Sequence, residues 1–122
     1  MPNEAPKPYH EKRPWGEFVR FTQNTPSTVK IITVNPGQAL SLQKHAHREE
    51  FWHVLSGDGF ATIGTERIPL HPGDNHFTPH ETAHQLEAGV NSLIILEIAL
   101  GDFDENDIVR LEDRYGRSGN TS

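Results

Sequence analysis

Apolar and polar positions alternate in short runs along this chain, and nearly every run is closed by glycine, proline, asparagine or aspartate. Residues 29–34 (VKIITV) read as a strand stopped by the Asn35-Pro36-Gly37 turn. Residues 40–47 and 50–55 follow as strands, with Arg48-Glu49 as the turn or bulge between them and Ser56-Gly57-Asp58-Gly59 as the next turn. Residues 60–63 and 66–70 flank Gly64-Thr65 as a hairpin, Pro72-Gly73-Asp74 turns again, and 75–78 is a short strand. The most apolar strand is 93–100, in which Glu97 is the exception and so a candidate pocket or interface residue. Short strands between turns at this spacing predict an all-β antiparallel sandwich or barrel.

The two ends depart from this rhythm. At the C-terminus, Asp104 to Asp107 supply N-cap candidates, and Ile108, Val109, Leu111 and Tyr115 make a roughly helical apolar stripe ending at Gly116. One short C-terminal helix packed on the barrel is expected there. At the N-terminus, residues 1–11 read as a flexible tail, most mobile over the polar, proline-bearing 1–7, and Trp15 is expected to plug one end of the core. The domain then runs 12–117, with 118–122 frayed. A length of 122 residues allows one small domain with one core.

Composition narrows the function. There is no cysteine, hence no disulfide framework and no thiolate metal site. No long apolar run or secretory leader is evident, which points to the cytoplasm and away from a membrane. A net charge of −6 argues against nucleic acid or an anionic membrane surface as partner. A small anionic ligand needs only a local cluster of cations.

The chemistry concentrates in residues 36–57, PGQALSLQKHAHREEFWHVLSG. His45 and His47 would share one face of an extended strand, with Ser41 and Gln43, while Leu40, Leu42 and Ala46 face away. A returning strand would bring Glu50 beside them. Two imidazoles and a carboxylate suit a borderline divalent cation. A second segment, Pro79-His-Glu-Thr-Ala-His84, places another histidine before a short apolar strand.

These two segments resemble the paired motifs of the cupin superfamily. Gly37, His45, His47, Glu50 and Gly57 match the first motif, and Pro79 and His84 match the second in part, with Glu81 where glycine is usual and Glu87 where asparagine is usual. The resemblance implies a double-stranded β-helix, or jelly-roll barrel, with a divalent ion on His45, His47, Glu50 and His84. Zinc leads, with cobalt, manganese, nickel or iron as the other choices.

A narrower likeness follows from Arg13-Pro-Trp-Gly-Glu-Phe18, Val34-Asn-Pro-Gly37, Leu40-Ser-Leu-Gln-Lys-His-Ala-His-Arg-Glu-Glu50, Trp52, Glu97 and Asp107-Ile-Val-Arg-Leu-Glu-Asp-Arg-Tyr-Gly-Arg117. Spread over residues 12–117, this is similar to type II mannose-6-phosphate isomerase, here as a stand-alone form of a module that commonly follows a GDP-mannose pyrophosphorylase. Ala99 stands where that family usually has glutamine.

The resemblance implies interconversion of mannose 6-phosphate and fructose 6-phosphate. That chemistry needs a Lewis acid, a base and a cationic grip on phosphate. Glu97, Glu49 and His80 are the candidates for the base. Arg48 is the first candidate for substrate recognition, with Lys44 and Arg110 behind it and Gln43 for sugar hydroxyls. Lys44, by strand parity, points away from His45. Two other readings stay open: a non-catalytic sugar-phosphate-binding cupin and an iron-dependent oxidative cupin. A homodimer is expected, with Leu40, Leu42 and the apolar positions of 94–100 at its interface.

Overall fold

The computed structural model describes residues 7–104, 106–113 and 115–116. Its strands in chain order are β1 (Tyr9–Arg13), β2 (Gly16–Arg20), β3 (Ser27–Val34), β4 (Leu42–Lys44), β5 (Arg48–Ser56) and β6 (Gly59–Ile63). They continue as β7 (Glu66–Leu70), β8 (Asn75–Thr78), β9 (His84–Ala88), β10 (Leu93–Gly101) and β11 (Val109–Glu112). A four-stranded sheet, β3-β10-β5-β8, faces a five-stranded sheet, β11-β4-β9-β6-β7, and every pairing is antiparallel. The inner faces share one core built from Val34, Trp52, Val54, Ala61, Leu70, Leu86, Leu93 and Ile95.

Central strand β10 is buried along nearly its whole length. Its alternate residues serve two clusters, because Ile95 enters the inner core while Ile98 and Leu100 join Phe51, Phe21 and Phe77 on the other face. Phe21 thus anchors the chain leaving β2 to that outer face, its ring 5.9 Å from Phe51 and 4.8 Å from His53. Among the described residues, the hairpin β1–β2 pairs only with itself. Trp15, in its turn, is 73% exposed, so it does not plug the core. Trp52 fills that role, held inside by its place in a central strand. β1 also begins at Tyr9, inside the stretch assigned to the tail, whereas residues 1–6 and 118–122 lie outside the described residues.

Three further expectations change. Residues 40–47 are not one strand. Only Leu42–Lys44 is extended, Ala39 makes an isolated bridge to Glu87, and the chain bends at Ala46-His47. Leu40 consequently packs on the inner core instead of an outer interface. At the C-terminus no helix forms among the described residues; Val109–Glu112 is β11, paired with β4. The open edge of β4 supplies backbone partners that an isolated helix turn lacks, and Asp107 bonds across the fold instead of capping local amides. No helix of the described residues is long and apolar enough to cross a membrane.

The turn at Gly57 joins β5 to β6 with φ at +92°, and a Cβ there would sit 1.9 Å from the Ser92 carbonyl oxygen. Both strain and collision oppose any side chain. Gly57→Ala is expected to destabilise the protein by about 2–4 kcal/mol, read as a lower urea midpoint. A midpoint equal to the wild type's would show that the 91–93 segment yields easily.

Candidate metal centre

His45 lies just past β4, Glu50 lies in β5, and His84 opens β9. Their ligand atoms all fall within 4.8 Å of one another, and all three residues are buried. Both rings are oriented from behind. His45 Nδ1 meets the Asp107 carbonyl oxygen at 2.5 Å, and His84 Nδ1 meets the Thr82 carbonyl oxygen at 3.0 Å. A ring nitrogen facing a carbonyl carries a proton, so each imidazole, when neutral, presents Nε2 as a lone pair.

Those lone pairs converge on one carboxylate. His45 Nε2 is 3.3 Å from Glu50 Oε2, and His84 Nε2 is 3.3 Å from Glu50 Oε1. Burial lowers the pKa of His45 despite the opposing pull of Glu50, so the ring is neutral near pH 7. His84 Nε2 is buried without a hydrogen-bond partner. Electron-rich atoms facing each other in this way are relieved by a cation, and two imidazoles with a carboxylate suit a borderline divalent ion. The residues present fit the ion that the sequence pattern implies.

Asp107 braces this arrangement. Its carboxylate accepts hydrogen bonds from the Ala46 and His47 amides at 2.8 and 2.9 Å. Burial alone would raise its pKa, but those amides outweigh it and hold the carboxyl below its usual range. Asp107→Ala is expected to weaken zinc binding about 10- to 100-fold, because His45 loses the loop that sets its orientation. Competition with a chelating dye measures this; unchanged affinity would mean that the 45–47 bend holds itself.

The remaining ligand candidate, His47, is exposed on the bend and is not part of the three-residue group. Strand parity fails there because the chain is no longer extended.

The cluster borders a cavity of about 330 Å³ between the sheets. Gln43, Arg48, Glu50, His84, Glu97 and Arg110 supply polar groups to its wall. Leu40, Leu86, Ile32, Ile108 and Trp52 supply apolar ones. Lys44 turns outward, as parity required, and lies 3.7 Å from Glu81. Glu49 and His80 pair with each other at 3.6 Å, and neither lines the cavity. Of the three base candidates, Glu97 alone reaches it.

Glu97 and Glu50 share a hydrogen bond. Burial, followed by the charge and the hydrogen bond of Glu50, pushes the Glu97 pKa up to about 9. Burial also pushes Glu50 upward, but its neighbours, the Glu97 hydrogen bond among them, outweigh it and hold the carboxyl well below the carboxylate range. The pair therefore rests as one acid and one carboxylate.

Arg48 is already engaged. Its Nε donates to Glu50 Oε2 at 3.2 Å, Nη1 to the Asp104 carbonyl oxygen at 3.4 Å, and Nη2 to His45 Nε2 at 3.2 Å. The guanidinium also lies 4.4 Å from the Phe103 ring centroid.

Lys30 lines the cavity and was not among the candidate site residues of the sequence. β3 is inverted relative to simple hydrophobic logic. Val29 and Ile31 are 57% and 66% exposed, while Lys30 stands beside Glu97 in register on the inner side. A lysine between apolar neighbours in a strand was the available signal.

A barrel of two antiparallel sheets with a histidine–carboxylate cluster on its inner wall is the architecture of a cupin. A cupin protein from Bacteroides fragilis shares the fold, with a TM-score of 0.56 and 24% identity over 66% of this chain and 80% of that one. Within that class, the chain belongs to the mannose-6-phosphate isomerase C-terminal family, whose model matches residues 3–113. The xanthan biosynthesis protein XanB of Xanthomonas campestris pv. campestris is 40% identical over 114 residues, which are 90% of this chain and 24% of XanB. The mannose-1-phosphate guanylyltransferase ManC of Salmonella typhimurium is 40% identical over 107 residues, 86% of this chain and 22% of ManC. The chain thus spans about a quarter of the length of these curated relatives.

Proposed function

We propose that this chain is a metal-dependent aldose–ketose isomerase interconverting mannose 6-phosphate and fructose 6-phosphate. The observation that carries the reading is the juxtaposition of the His45–Glu50–His84 donor set with Glu97 in one cavity. His45, Glu50 and His84 would hold the ion, zinc before cobalt, manganese, nickel or iron. When bound, such an ion stabilises negative charge on the C1 and C2 oxygens of an enediolate.

The chain's own groups do the rest. Glu97, which must first give up the proton it holds in the metal-free protein, would accept the C2 proton at a carboxylate oxygen and return it to C1, because it is the carboxyl other than Glu50 on the cavity wall. Gln43 offers an amide to sugar hydroxyls, and the apolar wall of Leu40, Ile32 and Leu86 limits water around the reacting carbons. Arg48 holds Glu50 and His45 in place through the bonds described above.

The test is a coupled assay for fructose 6-phosphate formation from mannose 6-phosphate, on protein stripped of metal and reloaded with each ion in turn. Metal-dependent turnover is the expected result. Folded, loaded protein that shows no turnover with any of the ions would defeat the isomerase reading.

A second reading, a binding module without turnover, draws on Ala99. It is the cross-strand neighbour of Glu50 and is buried, so the position where the resembling family carries glutamine ends here in a methyl group beside the site. Affinity for hexose phosphates without turnover would favour it.

A further inference from the structure

We propose that the cavity contains a seat for a phosphate monoester built on Arg110, at the end opposite the histidine–carboxylate cluster. The identity of the ligand's remaining atoms rests on the isomerase reading; the seat itself does not.

Three adjacent strands, β11, β4 and β9, place Arg110, Gln43 and His84 in one cross-strand row, through the register pairs Arg110 with Gln43 and Gln43 with His84. All three line the cavity. At about 4.8 Å per strand, the backbones of Arg110 and His84 stand about 10 Å apart. A short polyhydroxy chain can run along that row with one end at the cluster, its hydroxyls at Gln43 and its anionic end at Arg110. Ile108 lines the cavity with Arg110, two residues on, as the parity of an extended segment requires.

Arg110 is 9% exposed, and its Nε and Nη1 are buried without hydrogen-bond partners. Burying guanidinium donors unmet is costly, which makes them unfilled positions for anionic oxygens. The other cavity cations are differently placed. Arg48 donates to Glu50, Asp104 and His45, and Lys30 stands in register beside Glu97, with its Nζ 4.6 Å from the Phe103 ring centroid. Among the described residues, Arg110 is the arginine on the cavity wall whose buried donors are unmet. Phosphate, with several charged acceptor oxygens, is the group such donors hold best.

The experiment is calorimetric titration of the full chain, free of added metal, with inorganic phosphate, mannose 6-phosphate and mannose. Phosphate and mannose 6-phosphate are expected to bind, and mannose far more weakly. Arg110→Gln is expected to weaken phosphate about 10- to 100-fold, with partial recovery in Arg110→Lys. Gln43→Glu sets a carboxylate beside an intact Arg110 and is expected to weaken phosphate comparably, which keeps the test decisive if Arg110→Gln does not fold. Unchanged phosphate affinity in either folded variant overturns the seat, as does a wild type that binds no phosphate. Arg110-dependent phosphate binding in a protein that never isomerises sustains the seat while the isomerase reading fails. Turnover with an unchanged KM for mannose 6-phosphate in Arg110→Gln does the reverse.

Discussion

His84→Ala is expected to remove both metal binding and turnover. His84 contributes one of only two imidazoles in the ligand group, and its Nε2 is the buried atom left without a partner. Deleting it leaves His45 and Glu50, too few donors for a zinc site. Zinc affinity should fall more than about 100-fold, beyond the loss typical of removing a group that merely orients a ligand. The clearest readout is thermal. Zinc at about 100 times its dissociation constant should stabilise the wild type by about 2.7 kcal/mol and raise its Tm, whereas the variant's Tm should not respond. Turnover should drop at least about 1000-fold if the ion carries the oxygen-centred charge. A variant that still binds zinc one to one would place the ion elsewhere.

The second large effect belongs to Glu97→Gln, which keeps shape and a hydrogen-bond donor but cannot exchange a proton. Turnover should fall about 100- to 10,000-fold while zinc affinity changes little. Turnover near the wild-type rate would remove Glu97 from the proton path. The same variant reports on stability. In the folded protein Glu97 ionises near pH 9, against 4.5 ordinarily. The folded state therefore keeps a proton that the unfolded chain gives up. This stabilising contribution is whole below pH 4.5 and is lost progressively as pH rises toward 9. Glutamine has no such loss. In metal-stripped protein, Glu97→Gln should match the wild type near pH 4.5 and exceed it by about 1–3 kcal/mol at pH 8. A stability gap that does not change with pH would mean that Glu97 is not held protonated by the fold.

The legibility of the site varied with the kind of signal each residue gave. His45, Glu50 and His84 were found because ligand-type side chains with short, motif-like spacing are rare enough to stand out. Glu97 was visible as an acid inside the most apolar strand. Lys30 hid because neighbouring Val29 and Ile31 suggested the opposite facing, and only β10, pairing Glu97 with Lys30, settled which side was inner. Asp107 read as a helix cap because nothing local showed that the amides it serves lie some sixty residues away. Glu49 and His80 were indistinguishable in type from Glu97 until the fold paired them with each other outside the cavity.

The amino-acid sequence by itself marked the turns at 35–37, 56–59, 64–65 and 72–74, because Gly, Pro, Asn and Asp break extended backbone through local sterics and hydrogen bonding. It determined the antiparallel all-β architecture and the types of residue available for chemistry as well. Tertiary structure alone decided the rest. It turned 109–112 into a strand by offering the free edge of β4, and it bent the chain at Ala46-His47, where His47 is exposed while His45 is buried. It also placed Ile108 and Arg110 toward the cavity. Each of these outcomes depends on a backbone partner or a packed wall distant in sequence. The two-residue period of a strand propagates orientation only while the chain stays extended.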